Sequence, residues 1–305
     1  MSKRRLLIKL FGIPVILGVI LGHLLPGFAF NFAPIASGLL FVLLYVTLID
    51  IDLRPRRIEL SSLVEGLSIL SFSYVLIPLF LVLTVRILGL EERLATALFL
   101  SSMAPFALVA PLFVSNAGGR PATSLWQVLI SMIFCPIIIP LMLLASGIAM
   151  PVFIKPLIFF LVATSFGPYL LGLATQLIFK ERLRAFSKYK SSVASLLLAM
   201  LVYVLFGSAV SKWNNWHAPE LTLGILSFHL LSDFGLLYLT YYFLRQQLGK
   251  ELSVTYAITL GMKNMAIPAG LLLAYDPSMA FVPALGFVVH AFFFNYLGLR
   301  ARFFK

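Results

Sequence analysis

The sequence predicts an all-α polytopic membrane protein: ten transmembrane helices in two inverted five-helix repeats, with discontinuous crossing helices four and nine. Three observations carry that reading: composition, the side on which basic residues fall, and the position of two helix breaks. Only 34 of the 305 residues are charged, 61% are hydrophobic types, and the mean hydropathy is +1.03. A soluble chain carries roughly twice that share of charge. An ordinary cytosolic enzyme and a disordered chain are therefore excluded. A spanning helix needs about 20 mostly apolar residues, so the chain supplies roughly ten.

Hydrophobic runs set against their breaks give segments at about 5–25, 33–51, 60–88, 92–117, 121–146, 152–179, 191–211, 220–245, 251–275 and 279–299. The first follows Lys3, Arg4, Arg5 and Lys9 and imitates a signal peptide. It is too long for one, and Leu24-Leu25-Pro26 has no small-residue cleavage site, so it reads as a span. The breaks are Pro26-Gly27, the Asp50 to Arg57 stretch, Glu91-Glu92, Gly118-Gly119-Arg120, Lys180 to Lys190, Asn214-Asn215 and Gly249-Lys250. With the N-terminus inside, 18 basic residues are cytoplasmic and only Arg86, Arg93, Lys155 and Lys212 lie opposite. That asymmetry supports ten spans with both termini cytoplasmic. The basic residues are scattered between spans, which argues against nucleic acid as a partner. The single cysteine, Cys135, excludes an intrachain disulfide and a cysteine-based metal site. A short basic N-terminus without a Ser-rich transit region favours a bacterial inner membrane.

Segment four contains Pro105 and Pro111; segment nine contains Gly261, Pro268 and Gly270. Proline removes a backbone donor and glycine weakens a helix. These are the fourth of the first five spans (residues 1–150) and the fourth of the last five (residues 151–305). Five is odd, so the second set runs opposite to the first. Paired broken helices in inverted repeats mark a secondary transporter with its site near the midplane.

Lys263 lies 12 positions into segment nine, about 18 Å along a helix. A lipid-facing charge there costs on the order of 3 kcal/mol or more. It is expected to face protein or a water-filled cavity. Asp233, at matching depth in segment eight, is expected to pair with it or share a proton. His229 sits one turn before Asp233 on the same face. His290 and Asn295 read as interhelical hydrogen-bonding groups. Ser124, Gln127 and Ser131 form one polar face of segment five. Ser71, Ser73 and Tyr74 precede Pro78 in segment three. No paired intramembrane carboxylates, metalloprotease motif, nucleophile elbow or phosphate loop occurs, so no enzyme is expected. No aromatic pattern identifies a cofactor.

The stretch Gly261-Met262-Lys263-Asn264 resembles the Gly-Met-Gln-Asn crossover of the bile acid:sodium symporter family. Val282-Pro283, Pro78, Pro105, Ser124 and the Pro136-x3-Pro140 pair also fall where that family has its counterparts. The resemblance implies a core of segments three to five and eight to ten and a panel of segments one, two, six and seven. Substrate would bind in the crevice between them. Against the family's pattern, the crossover Ser-Asn pair reads Ala110-Pro111 and the crossover glutamate reads Thr259. The sodium-site glutamine reads Lys263, a segment-three glutamine reads Ser73, and a segment-five hydroxyl reads Val128. Both family sodium sites are thus dismantled, and an ammonium at 263 would repel a cation at close range.

These residues favour a sodium-independent carrier of small organic anions working by alternating access. Lys263 is the anion or proton group and Asp233 its counter-charge. Thr259, Asn264, Ser124, Gln127 and the Pro105–Pro111 break line the crossover. Burial favours a neutral Lys263, which would permit proton coupling; a neighbouring carboxylate favours the charged form, which suits a uniporter or exchanger. The rivals are a sodium-coupled symporter with relocated ligands and a non-transporting receptor on the same fold.

Overall fold

A computed structural model describes residues 12–49, 71–147, 154–212 and 219–300, without the side chains of 180–188 and 298–300. Among the described residues the regular elements are all helical and no strand forms. The chain opens with α1 (Gly12–Leu24), α2 (Pro26–Asn31) and α3 (Ala36–Leu48). The break expected at Pro26-Gly27 is a bend at Leu25. Pro26 then starts α2, where its missing N–H costs nothing.

A π-helical turn, Phe72–Leu76, leads into α4 (Ile77–Leu88). Next come α5 (Glu92–Ser102), α6 (Ala110–Ala117) and α7 (Pro121–Ser146). α8 (Ile154–Ser211) bends at Phe179, where φ is −117° and ψ 27°. α9 (Pro219–Leu230) passes through a second π-helical turn, Leu231–Gly235, into α10 (Leu236–Gly261). The chain finishes with α11 (Ala266–Tyr275) and α12 (Phe281–Arg300). Four stretches are long and apolar enough to cross a bilayer: Pro121–Ser146, Ile154–Phe179, Tyr189–Ser211 and Pro219–Gly261. The last is interrupted at Gly249, whose φ of 75° is a conformation only glycine adopts without strain.

One expected loop is absent. Lys180 to Lys190 was expected to separate segments six and seven, yet its backbone is helical and the interruption sits at Phe179. The stretch carries Lys180, Glu181, Arg182, Arg184, Lys188 and Lys190, which are charged but good helix formers. The breaks at Asp50 to Arg57 and Asn214-Asn215, residues 60–70 of segment three, and Lys3, Arg4, Arg5 and Lys9 lie outside the described residues.

α8 packs along α1, α2 and α3. The α1 seam is built from small residues: Gly18 meets Ala199 and Val202, and Gly22 meets Gly207. Lipid is as apolar as leucine, so helices associate in it through such close approach. α5, α6, α7, α9, α10, α11 and α12 pack among themselves, and α7, α11 and α12 also reach α8. Pro136 lies inside α7 and cannot donate to the carbonyl of Met132. The Cys135 thiol occupies that carbonyl at 3.3 Å and lies 3.4 Å from Ser165 on α8. Cys135 is buried.

Candidate functional site

Two interrupted helices meet at the centre of the molecule. One break, residues 103–109, separates α5 from α6. The other, residues 262–265, separates α10 from α11. A broken helix exposes backbone donors and acceptors that lipid cannot satisfy. Here each break serves the other. Ala107 N–H donates to Met262 O at 2.8 Å and Asn264 N–H donates to Pro105 O at 2.7 Å, forming an antiparallel bridge between Phe106 and Lys263. Phe106 N–H donates to Ser131 Oγ at 3.1 Å. Pro105 sits in the first break. Pro111 and Pro268 sit instead in the first turns of α6 and α11, and Gly261 is the last residue of α10. First-turn N–H groups have no partner within their own helix, so proline is tolerated there.

Lys263 is 2% exposed. Its ammonium donates to Ser73 Oγ, presented by the first π-helical turn. It also lies 4.8 Å from the Phe106 ring centroid and 5.5 Å from that of Tyr74. Asp233 belongs to the second π-helical turn and is fully buried. Its Oδ2 faces His290 Nε2 at 3.1 Å, within ion-pair range but not aligned as a hydrogen bond, and Ser232 donates to Oδ1 at 3.2 Å. The expected contact between Lys263 and Asp233 is therefore not made; each has a different partner. Equal depth fixes only the axial coordinate, and the break at 262–265 turns Lys263 toward segment three. The Asp233 turn nevertheless packs tightly on α10. A Cβ on Gly261 would come within 2.7 Å of the Asp233 carbonyl oxygen.

His229 is buried, with Nε2 2.9 Å from Val282 O and Nδ1 unpaired among the described residues. It serves the α9–α12 contact and does not touch Asp233 through a hydrogen bond. The polar face of α7 divides. Thr259 donates to Thr255 O at 2.7 Å, which leaves Ser124 to donate to Thr259 Oγ1 at 2.8 Å. Ser131 holds the Phe106 amide. Gln127 is buried with neither amide atom paired among the described residues.

Between α1, α3 and α8 on one side and the two breaks on the other lies a crevice of about 750 Å³. Lys263, Asn264 and His290 line its deep end; Thr47, Lys190 and Ser191 line the other. The walls between are apolar, including Val15, Leu40, Leu44, Leu198, Phe287 and Phe294. The N-termini of α6 and α11 also face it through Val109 and Met265. Amides at such termini favour negative charge.

The sequence alone missed three things. Tyr74 and Phe106 flank Lys263, although Phe106 follows Pro105 and its place at the crossover was readable. His290 is the partner of Asp233. Lys190 and Thr47 line the crevice, and their sequence context of charge beside a span gave no such signal.

No curated protein matches the chain. A family model of transporters does match, over residues 9–275, which is most of the sequence. The crossed helix breaks, the buried lysine between them and that match lead to one statement. The chain is an integral membrane transporter and belongs to the SBF-like CPA transporter family, the bile acid:sodium symporter-like group its crossover residues resemble.

Proposed function

We propose that the chain carries small organic anions across the membrane by alternating access, independently of sodium. One observation carries the reading: Lys263 lines the crevice at the crossover of the two breaks, with its ammonium bonded to Ser73 just behind that wall. Position 263 is one that the resemblance assigns to a sodium-site glutamine, and position 73 is one that it assigns to a segment-three glutamine. A tethered ammonium there takes the part of the bound cation, and it offers an anion a fixed counter-charge. The α6 and α11 N-termini add to that positive potential.

The reading extends to architecture. Ten spans form two inverted repeats, residues 1–150 and 151–305, with a panel of segments one, two, six and seven rocking against the remaining six. The packing of α8 along α1 to α3 supports that division. With the N-terminus inside a bacterial inner membrane, the crevice mouth at Lys190 faces the cytoplasm. Asp233, paired with His290 at the crevice wall, is the group through which proton coupling would run.

The test is thermal stability of the purified protein in sodium-free buffer across a panel of organic anions, repeated on Lys263→Gln. A ligand at a hundred times its Kd stabilises by about 2.7 kcal/mol. A stabilising anion that loses its effect in Lys263→Gln is the expected result. Stabilisation that appears only when sodium is added would sink the sodium-independent reading and point to relocated ion ligands around Asp233. Binding without uptake into proteoliposomes would leave a receptor. For the coupling arm, Asp233→Asn should flatten the pH dependence of uptake; an unchanged profile removes the relay role.

A further inference from the structure

Asp233 reaches the crevice through His290. Asp233 is fully buried and does not line the crevice wall, whereas His290 does, at 3% exposure. His290 Nε2 lies 3.1 Å from Asp233 Oδ2, an oxygen with no hydrogen-bond partner among the described residues. With Nε2 turned to Asp233, contact with the crevice falls to the rest of the ring. Asp233 also acts on Lys263 through space, because its π-helical turn packs on Gly261 at the end of α10. With Asp233 ionised and His290 neutral, the two charges at the deep end balance. One proton added to the Asp233–His290 pair leaves Lys263 uncompensated. A monovalent anion restores the balance.

One further titratable group acts on the pair through space, His229 on α9. α12 and the second π-helical turn also pack on α1, α5, α6, α8, α10 and α11. Among their described side chains, and those of α9, His23, Glu92, Arg93, Lys155 and Glu220 lie in a first or last turn. Arg245, Lys250 and Glu251 lie around the interruption at Gly249, and Lys190 lines the other end of the crevice.

We propose that the protein is an electroneutral symporter that carries one proton with each monovalent anion, the proton on the Asp233–His290 pair and the anion at Lys263. This rests on the anion-carrier reading and names its coupling ion and stoichiometry. A proton from the crevice bonds to His290 Nδ1, and the N–H bond at Nε2 breaks as its proton passes to Asp233 Oδ2. The imidazole ends neutral and the carboxyl holds the added proton. An empty site and a doubly loaded site are both neutral, so either can be closed off from water as the carrier reorients. A site holding only the proton or only the anion carries net charge, which a low-dielectric interior opposes.

The probes are methanesulfonate, hexanesulfonate and benzenesulfonate, whose charge is constant between about pH 5.5 and 8.5, a range that spans imidazole titration. Binding to wild type in sodium-free buffer is measured by calorimetry in two buffers of different ionisation enthalpy, which counts the protons taken up. The count should rise with pH toward one per anion, and there Kd should rise about ten-fold per pH unit. Asp233→Asn removes the balancing charge, so at the alkaline end it should bind about ten-fold tighter than wild type or better, without proton uptake. His290→Gln keeps that charge and removes the proton acceptor, so binding near neutral pH should weaken. In proteoliposomes, uptake should follow an inward proton gradient and ignore an imposed membrane potential. A wild-type count near zero throughout, or uptake driven by potential, overturns the symport inference and leaves the anion carrier standing. Asp233→Asn that melts like wild type and binds more weakly overturns the charge balance. If none of the three sulfonates binds, the anion reading falls and this inference with it.

Discussion

A lysine at bilayer depth is held by very little in this protein. Lys263 has one hydroxyl partner, Ser73, and two aromatic faces. Each face contributes about 0.5–2 kcal/mol, against a cost on the order of 3 kcal/mol or more for the charge itself. The nearby α6 and α11 N-termini add positive potential, which an ammonium resists and an anion relieves. Asp233 offsets that cost only through space, and no carboxylate touches the ammonium among the described residues. Lys263→Met should raise the melting temperature of the ligand-free protein while abolishing its response to anions. A lower melting temperature would mean that Lys263 is a structural anchor. The depth of Lys263 was legible in the sequence, since hydropathy and helical rise give a residue's position along the membrane normal. Its partner was not, because azimuth depends on where the helix breaks, and the four residues between α10 and α11 reset the face that follows. That is why Asp233 was paired with Lys263 on paper and with His290 in space.

The broken helices are stable as elements because each repairs the other and α7 supports the first break directly. Ser131→Ala removes the acceptor of the Phe106 amide and should cost about 1–3 kcal/mol, the penalty for an unpaired buried donor. The Ser124–Thr259 contact ties α7 to the half of α10 that leads into the second break. A double-mutant cycle of Ser124→Ala and Thr259→Val should give a coupling of about 0.6 kcal/mol and no more than about 1.7, the range for interhelical hydrogen bonds in membranes. Zero coupling in thermal unfolding would make the contact incidental. Proline and glycine positions disclosed the two breaks because both residues act on the backbone itself. The π-helical turns at Phe72–Leu76 and Leu231–Gly235 left no such mark, although they present Ser73 and Asp233. The charged stretch from Lys180 misled in the opposite direction: polarity ends a membrane span without ending a helix.

Across the whole molecule, the two ends of the crevice are bounded by different elements. The crossing helices are clipped at both ends, by Arg93 to Asp276 at 3.5 Å and Arg120 to Glu251 at 3.2 Å. Exposed pairs of this kind contribute about 0–1 kcal/mol each, so they bias the crossing helices to move together without locking them. Thr47, Lys190 and Ser191 line one end. Beyond Lys263, α11 lies against α8 and α3: a Cβ on Gly270 would come within 3.3 Å of Phe160 and 3.8 Å of Leu40. Alternating access requires that contact to part during each cycle and static binding does not. Cys135 is the sole native cysteine and is buried, so a thiol introduced at position 270 reports on a silent background. Gly270→Cys in proteoliposomes should react slowly with a membrane-impermeant maleimide in anion-free buffer. It should react several-fold faster once a stabilising organic anion is supplied and the carrier turns over. A labelling rate indifferent to anion would show that this contact stays shut and would count against alternating access.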